Sequence, residues 1–161
     1  SYNELGRTIG TDSKTVEKYV DLLEKCYIVF KLSALSRNLR TELKKGKKIF
    51  FYDNGIRNSI IQNFSPLQLR DDVGALWENF VISERLKYNH YNQRYCNTYF
   101  WRTTEQQEVD YIEERDGSFS LFEMKWNPKK AKVLVPSSFK SAYGDCEYTV
   151  ITPENYWQHL V

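Results

Sequence analysis

Asp116-Gly117 separates two β-rich runs, Glu108–Glu113 (EVDYIE) and Ser118–Lys125 (SFSLFEMK). An Asp-Gly pair flanked in this way is a strong hairpin signal, because the favoured two-residue turn needs positive φ at both central positions. Other elements fall into order around it. Asp72–Tyr88 carries Val73, Leu76, Trp77, Phe80, Val81 and Ile82 on a wide apolar face, with acidic residues at its start, where the helix dipole favours them. Thr98–Arg102 (TYFWR) reads as a strand before the hairpin. Ser137–Tyr143 reads as a helix, Glu147–Ile151 as a strand, and Pro153 opens a last helix, Glu154–Leu160. The order α-β-β-β-α-β-α places this half in the mixed α/β class (α+β).

The N-terminal stretch has a different grammar. Tyr2–Ile9 is a short helix closed by Gly10, and Thr11-Asp12-Ser13 offers caps for a second helix reaching about Lys25. Its apolar stripe is Val16, Tyr19, Val20, Leu22 and Leu23. Two β-rich runs follow, Tyr27–Leu32 and Lys48–Tyr52, joined by a polar, basic stretch, Ser33–Lys47. Helix-turn-helix followed by a hairpin with a basic loop is the pattern of a winged helix. The helix that normally precedes such a pair is missing, so either it lies upstream in a longer protein or this unit is incomplete here. A short helix, Ile56–Asn63, and the Ser65-Pro66 break mark the passage between halves. The expected division is 1–54, a winged helix-turn-helix, and 55–161.

Charge follows the same division. The formal net charge is +2, yet residues 1–70 carry 13 Lys/Arg against 7 Asp/Glu and residues 71–161 carry 10 against 14. A +6 half joined to a −4 half suggests a nucleic-acid-facing part attached to something else. The residues placed to track DNA phosphates are Lys14 and Lys18 on the second helix and Arg37, Arg40, Lys44, Lys45, Lys47 and Lys48 in the basic loop. The competing reading is that this unit touches protein. Hydrophobic residues at 41% and charged residues at 27% exclude a largely disordered chain. No apolar run approaches the roughly 20 residues of a membrane span. Cys26, Cys96 and Cys146 form neither a disulfide framework nor a metal knuckle, which favours the cytoplasm.

Chemistry concentrates on the hairpin. Glu123 and Lys125 are two apart on one strand and project together, while Asp110 lies on the partner strand. Two carboxylates are what Mg²⁺ usually takes from a protein, and a nearby ammonium can stabilise developing negative charge or position the attacking water. Glu78, on the preceding helix, adds a third carboxylate if that helix packs beside the strand ends. The plainer alternative is a structural salt bridge between Lys125 and one carboxylate. Neither His90 nor His159 has a partner at ligand or triad spacing.

The element order with Asp110, Glu123 and Lys125 resembles the PD-(D/E)XK restriction-endonuclease-like fold. More specifically, the chain resembles the C-terminal region of a bacterial and archaeal family of P-loop ATPases of the AAA+ superfamily, whose tail is a domain of unknown function. The matching stretches are Glu4-Leu5, Thr15–Tyr19, Leu22–Glu24, Lys48–Gly55, Gly74–Val81, Trp101-Arg102, Glu108–Asp110 and Phe122–Lys125. The resemblance implies an upstream ATPase module as partner, a Mg-dependent nuclease-like site with Asp110 and Glu123 as metal ligands, and catalytic roles for Lys125 and Glu78. It equally implies an alternative, an inactive fold serving as a DNA- or protein-recognition module, because such folds also work as binding modules. Val109 stands where the naming Pro would be, and Phe139 stands four before Tyr143 where some relatives carry Gln. No Gly-x-x-x-x-Gly-Lys-Ser/Thr is present, so no nucleotide is expected to bind through a P-loop.

Overall fold

The computed structural model describes residues 1–36, 46–103, 105, 107–130 and 134–160. Its centre is a six-stranded mixed sheet in the order β2-β1-β3-β4-β5-β6. The strands are β1 (Val29–Ala34), β2 (Lys48–Phe51), β3 (Asn97–Arg102), β4 (Glu108–Arg115), β5 (Ser118–Met124) and β6 (Glu147–Ile151). The helices are α1 (Tyr2–Ile9), α2 (Ser13–Lys25), α3 (Asn54–Ile60), α4 (Val73–Tyr91), α5 (Ser137–Tyr143) and α6 (Trp157–Leu160). The protein is therefore of the mixed α/β class. Among the described residues, no helix is long and apolar enough to cross a membrane.

Local chemistry explains the ends of these elements. Ser1 and Glu4 form a reciprocal capping box on α1, and Gly10 closes it at φ 75°. Asp12 caps α2 by accepting from the backbone N–H groups of Lys14 (2.9 Å) and Thr15 (3.0 Å). Gly6 is required for the tight turn, since a Cβ there would meet the Thr11 carbonyl oxygen at 2.6 Å. Asp116 and Gly117 both take positive φ, at 51° and 78°, as a two-residue hairpin of β4 and β5 demands. Helix α4 runs a turn beyond its expected end. Helix α6 starts later than expected, because residues 153–156 form turns.

Two apolar layers sandwich the sheet. Trp77, Val81 and Ile82 of α4 pack with Phe30, Leu32, Phe100, Tyr111, Phe122, Met124 and Ile151 on one face. Phe139 of α5 packs with Trp101, Val109, Ile112 and Leu121 on the other. Complete burial of a side chain such as Phe139 contributes about 1.5–3 kcal/mol. A third cluster joins Val16 and Val20 of α2 to Val29 of β1. The rest of the stripe expected on α2 faces outward, with Tyr19 63% exposed and Leu22 and Leu23 also exposed.

The β1–β2 hairpin, expected as the wing of a separate N-terminal unit, forms the edge of this same sheet. Strand β1 pairs in parallel with β3, Ser33 beside Tyr99 and Ala34 beside Phe100. The passage between halves is pinned by charge as well. Asp72, preceding α4, accepts from Arg57 (2.7 Å) and from two nitrogens of Arg70 (2.8 Å each). These hydrogen bonds, Arg70's the larger, hold the Asp72 carboxyl well below the usual aspartate range. A group depressed in the folded state stabilises above its unfolded pKa and loses that contribution as pH falls through the folded value. Asp72→Asn should therefore lower the urea midpoint at pH about 7. The gap to wild type should close progressively below about pH 4. A gap that fails to narrow between about pH 4 and about pH 2 would show that the bond geometry, and not the charge, holds this junction.

Candidate functional site

An irregularity in β4 sets the site. Between Tyr99 and Trp101 of β3, the partner strand β4 advances from Ile112 to Val109, three residues against two. The extra residue is a β-bulge at Asp110-Tyr111, a device that re-aims a side chain out of strict alternation. Asp110 then reaches in two directions. Its Oδ2 accepts from the backbone N–H of Met124 in β5 (3.0 Å), and its Oδ1 lies 3.9 Å from Lys48 Nζ of β2. Tyr111 pairs with Phe122 in the β4–β5 ladder, so the next step of the register sets Asp110 opposite Glu123.

The ammonium of Lys48 is the hub of this end of the sheet. It contacts Glu108 Oε1 at 2.7 Å, Glu78 Oε1 of α4 at 3.0 Å, and Asp110. It also sits 5.5 Å from the centre of the Phe100 ring. Glu123 is paired with Lys125, two residues further along the same chain. Thus Glu78, Asp110, Glu123 and Lys125 do come together, drawn from α4, β4, β5 and the residue just after β5. Glu108 and Lys48 join them.

The electrostatics are those of carboxylates crowded in a half-buried place. Burial pushes the Asp110 carboxyl up from its ordinary value, partly opposed by the Met124 hydrogen bond and by Lys48. Burial raises Glu78 as well, with Lys48 lowering it and the Asp110 charge adding to the rise. Glu123 is raised by burial and then by Asp110. Burial alone would lower Lys48, but Glu78 and Glu108 more than offset it. Lys125 behaves likewise, held up by Glu123. Tyr148 of β6 is pushed up by burial and by the charges of Glu123 and Asp110. Groups perturbed this way in a shared cleft are candidates for proton handling or cation binding.

The remaining expected residues fall elsewhere. Lys14 and Lys18 are exposed on α2 and Lys47 is exposed before β2, whereas Lys48 points its charge into the acidic cluster. Arg37, Arg40, Lys44 and Lys45 lie outside the described residues. His90 meets the Tyr91 ring edge-on, and the His159 carbonyl accepts from Arg85, both apart from the cluster. Cys26, Cys96 and Cys146 are free. Two members escaped sequence reading for different reasons. Glu108 stands two before Asp110, a spacing that strand periodicity could have flagged. Tyr148 had no local signal at all.

Cation-binding capacity can be judged from the donors. Hard carboxylate oxygens from Asp110 and Glu123, facing each other across the hairpin, suit Mg²⁺ in type and number, since that ion usually takes one or two carboxylates and keeps several waters. Among the described residues, no group of three or more His, Cys, Asp or Glu is gathered as a preformed metal cage.

Family models match two stretches of the chain. Residues 73–157 match the family model of a domain of unknown function (DUF4143), more than half of the chain, which therefore belongs to that family. Residues 1–67 match a second domain of unknown function (DUF8612). The two matches meet at the junction that Arg57, Arg70 and Asp72 tie together. Two curated relatives are similar over most of the chain: Uncharacterized protein Mb2031c of Mycobacterium bovis and Uncharacterized protein Rv2008c of Mycobacterium tuberculosis. Each is 26% identical over 146 residues, covering 89% of this chain and 32% of the relative. The chain thus spans about a third of the length of the curated relatives it matches. No solved structure matches it.

Proposed function

We propose that residues 55–161 are a restriction-endonuclease-like unit that hydrolyses phosphodiesters with a divalent cation. In this reading residues 1–54 are a winged helix that brings DNA to it, and the whole is the C-terminal region of an AAA+ ATPase. The observation that carries this reading is the convergence of Asp110, Glu123, Glu78 and Lys125 at the β4 bulge. Asp110 and Glu123 would hold Mg²⁺, which supplies Lewis-acid polarisation of the phosphate and a more acidic bound water. The chain's own residues do the rest. Lys125, paired with Glu123, stands where an ammonium can neutralise charge developing on a phosphoryl oxygen. Glu78, half-buried on α4, is available to orient a water or accept its proton. Lys14, Lys18 and Lys47 offer exposed charge to the phosphate backbone.

A second reading has its own support. Both lysines of the cluster are already paired with carboxylates, as expected of a nuclease-like fold that only recognises DNA or a partner protein. The deciding experiment incubates the protein with single- and double-stranded DNA in Mg²⁺ or Mn²⁺, beside Asp110→Asn. Cleavage that requires the metal and disappears in the variant supports the nuclease. Equal cleavage by both proteins refutes the assignment. No cleavage, with a gel shift that weakens as salt rises by about 0.9 log units per phosphate contact, selects the recognition module.

A further inference from the structure

Lys48 looked from sequence like one more residue of a basic loop, yet its ammonium is enclosed by acids. It lies 2.7 Å from Glu108, 3.0 Å from Glu78 and 3.9 Å from Asp110, with its side chain only 25% exposed. The charge count at this end of the sheet is uneven. Glu78, Glu108, Asp110 and Glu123 bring four negative charges, and Lys48 and Lys125 return two. The deficit is two before Arg102 is counted, which lies 3.8 Å from the outer oxygen of Glu108 and is half exposed. Of the two carboxylates assigned to the metal, Lys48 approaches Asp110, and an ammonium and a divalent cation compete for the same carboxylate. Lys48 also has somewhere to go. It borders a cavity of about 580 Å³ lined with Lys47, Phe100, Trp101 and Arg102.

We propose that Lys48 is the resident counter-cation of the acidic site, that divalent cation binding displaces it from Glu78 and Asp110, and that its ammonium then joins Lys47 and Arg102 along the neighbouring cavity as a contact for substrate phosphate. This rests on the metal reading of Asp110 and Glu123 given above. Removing Lys48 therefore has a sign opposite to that of removing a metal ligand. Without Lys48 the acids lose their internal cation, so they take an external one more tightly.

The test is Mn²⁺ affinity of the intact chain, followed by electron paramagnetic resonance, for wild type, Lys48→Met and Lys48→Arg. Lys48→Met should bind Mn²⁺ roughly tenfold more tightly or better, while Lys48→Arg, which keeps the charge, should stay near wild type. Equal or weaker binding by Lys48→Met overturns the displacement and leaves the metal reading standing. If neither wild type nor Lys48→Met binds Mn²⁺, the metal reading itself falls and takes the displacement with it. Wild type alone provides a second readout that does not depend on a variant folding. Amine labelling of Lys48, followed by mass spectrometry at fixed pH, should rise several-fold on adding Mn²⁺. Lys31, held by Asp21 and Glu24 at 2.6 and 2.7 Å, should not change. Labelling of Lys48 that is indifferent to bound Mn²⁺ overturns the proposal.

Discussion

Arg85→Met should destabilise the fold by about 3–5 kcal/mol, the cost of removing one partner of a buried ion pair. Arg85 and Glu113 have side-chain exposures of only 8% and 9%. The guanidinium donates to both carboxylate oxygens of Glu113, at 2.7 and 2.9 Å, and to the His159 carbonyl at 2.6 Å. It also lies over the rings of Tyr88 and Phe122. One side chain of α4 thus ties together β4, β5 and the C-terminal helix. Without it, Glu113 keeps the Asn89 amide at 2.6 Å, and a buried carboxylate left with neutral donors is poorly compensated. The measurement is the urea midpoint at unchanged slope. The double variant Arg85→Met/Glu113→Leu should recover most of the loss, because replacing both charges with apolar groups removes the orphan. A single-variant cost under about 1 kcal/mol would mean that water reaches Glu113 and the pair is not truly buried. The site feels this anchor too. Glu78 lies seven residues before Arg85, two turns along the same side of α4.

What the sequence made legible was local. The Asp116-Gly117 turn, the caps of α1 and α2, and the long α4 each rest on residues within a few positions of one another, where propensity and periodicity speak directly. Pairing between distant strands has no such signature. Lys48 is separated by sixty residues from Glu108, and what brings them together is the parallel pairing of β1 with β3. A parallel pair is made through a long crossover, so no turn motif announces it. Read by its sequence neighbours, Lys48 belonged to a run of solvated positive charge. Placed by the sheet, it belongs to the acids. The α2 stripe shows the converse limit. Val16, Tyr19, Val20, Leu22 and Leu23 satisfy helical apolar spacing, but of these five Val16 and Val20 are buried, against Val29 of β1, and the other three are exposed. Periodicity reports that a helix is apolar over a wide arc, and not how much of that arc the rest of the fold covers. The bulge at Asp110 was equally silent. One added residue in β4 changes which way a carboxylate points without changing the composition of the strand.

Asp110→Asn should pull stability and activity in opposite directions. The carboxyl of Asp110 is pushed up by burial, which means that the folded protein disfavours its charge at neutral pH. Its contact with Lys48, at 3.9 Å, is the longest of the three that Lys48 makes, and together with the Met124 hydrogen bond it offsets the burial only in part. Asparagine keeps an oxygen for the Met124 N–H and removes the charge beside Glu78, Glu108 and Glu123. The variant should therefore gain about 0.5–2 kcal/mol, the usual scale for relieving a site held at the expense of stability. In a protein of this size that is a rise in Tm of several degrees. On the nuclease reading the same change should cut Mg²⁺-dependent cleavage by at least about 10²-fold, as loss of a preorganised charge partner does. Thermal unfolding in a chelator and a cleavage assay in Mg²⁺ measure the two effects separately. A raised Tm with lost cleavage is the signature of a functional carboxylate kept against the interest of the fold. A lowered Tm would instead make Asp110 a structural pin, fastening β4 to β5 through Met124. In that case the recognition module, with Lys48 and Lys125 as permanent partners of the acids, becomes the better account of why these charges are gathered here.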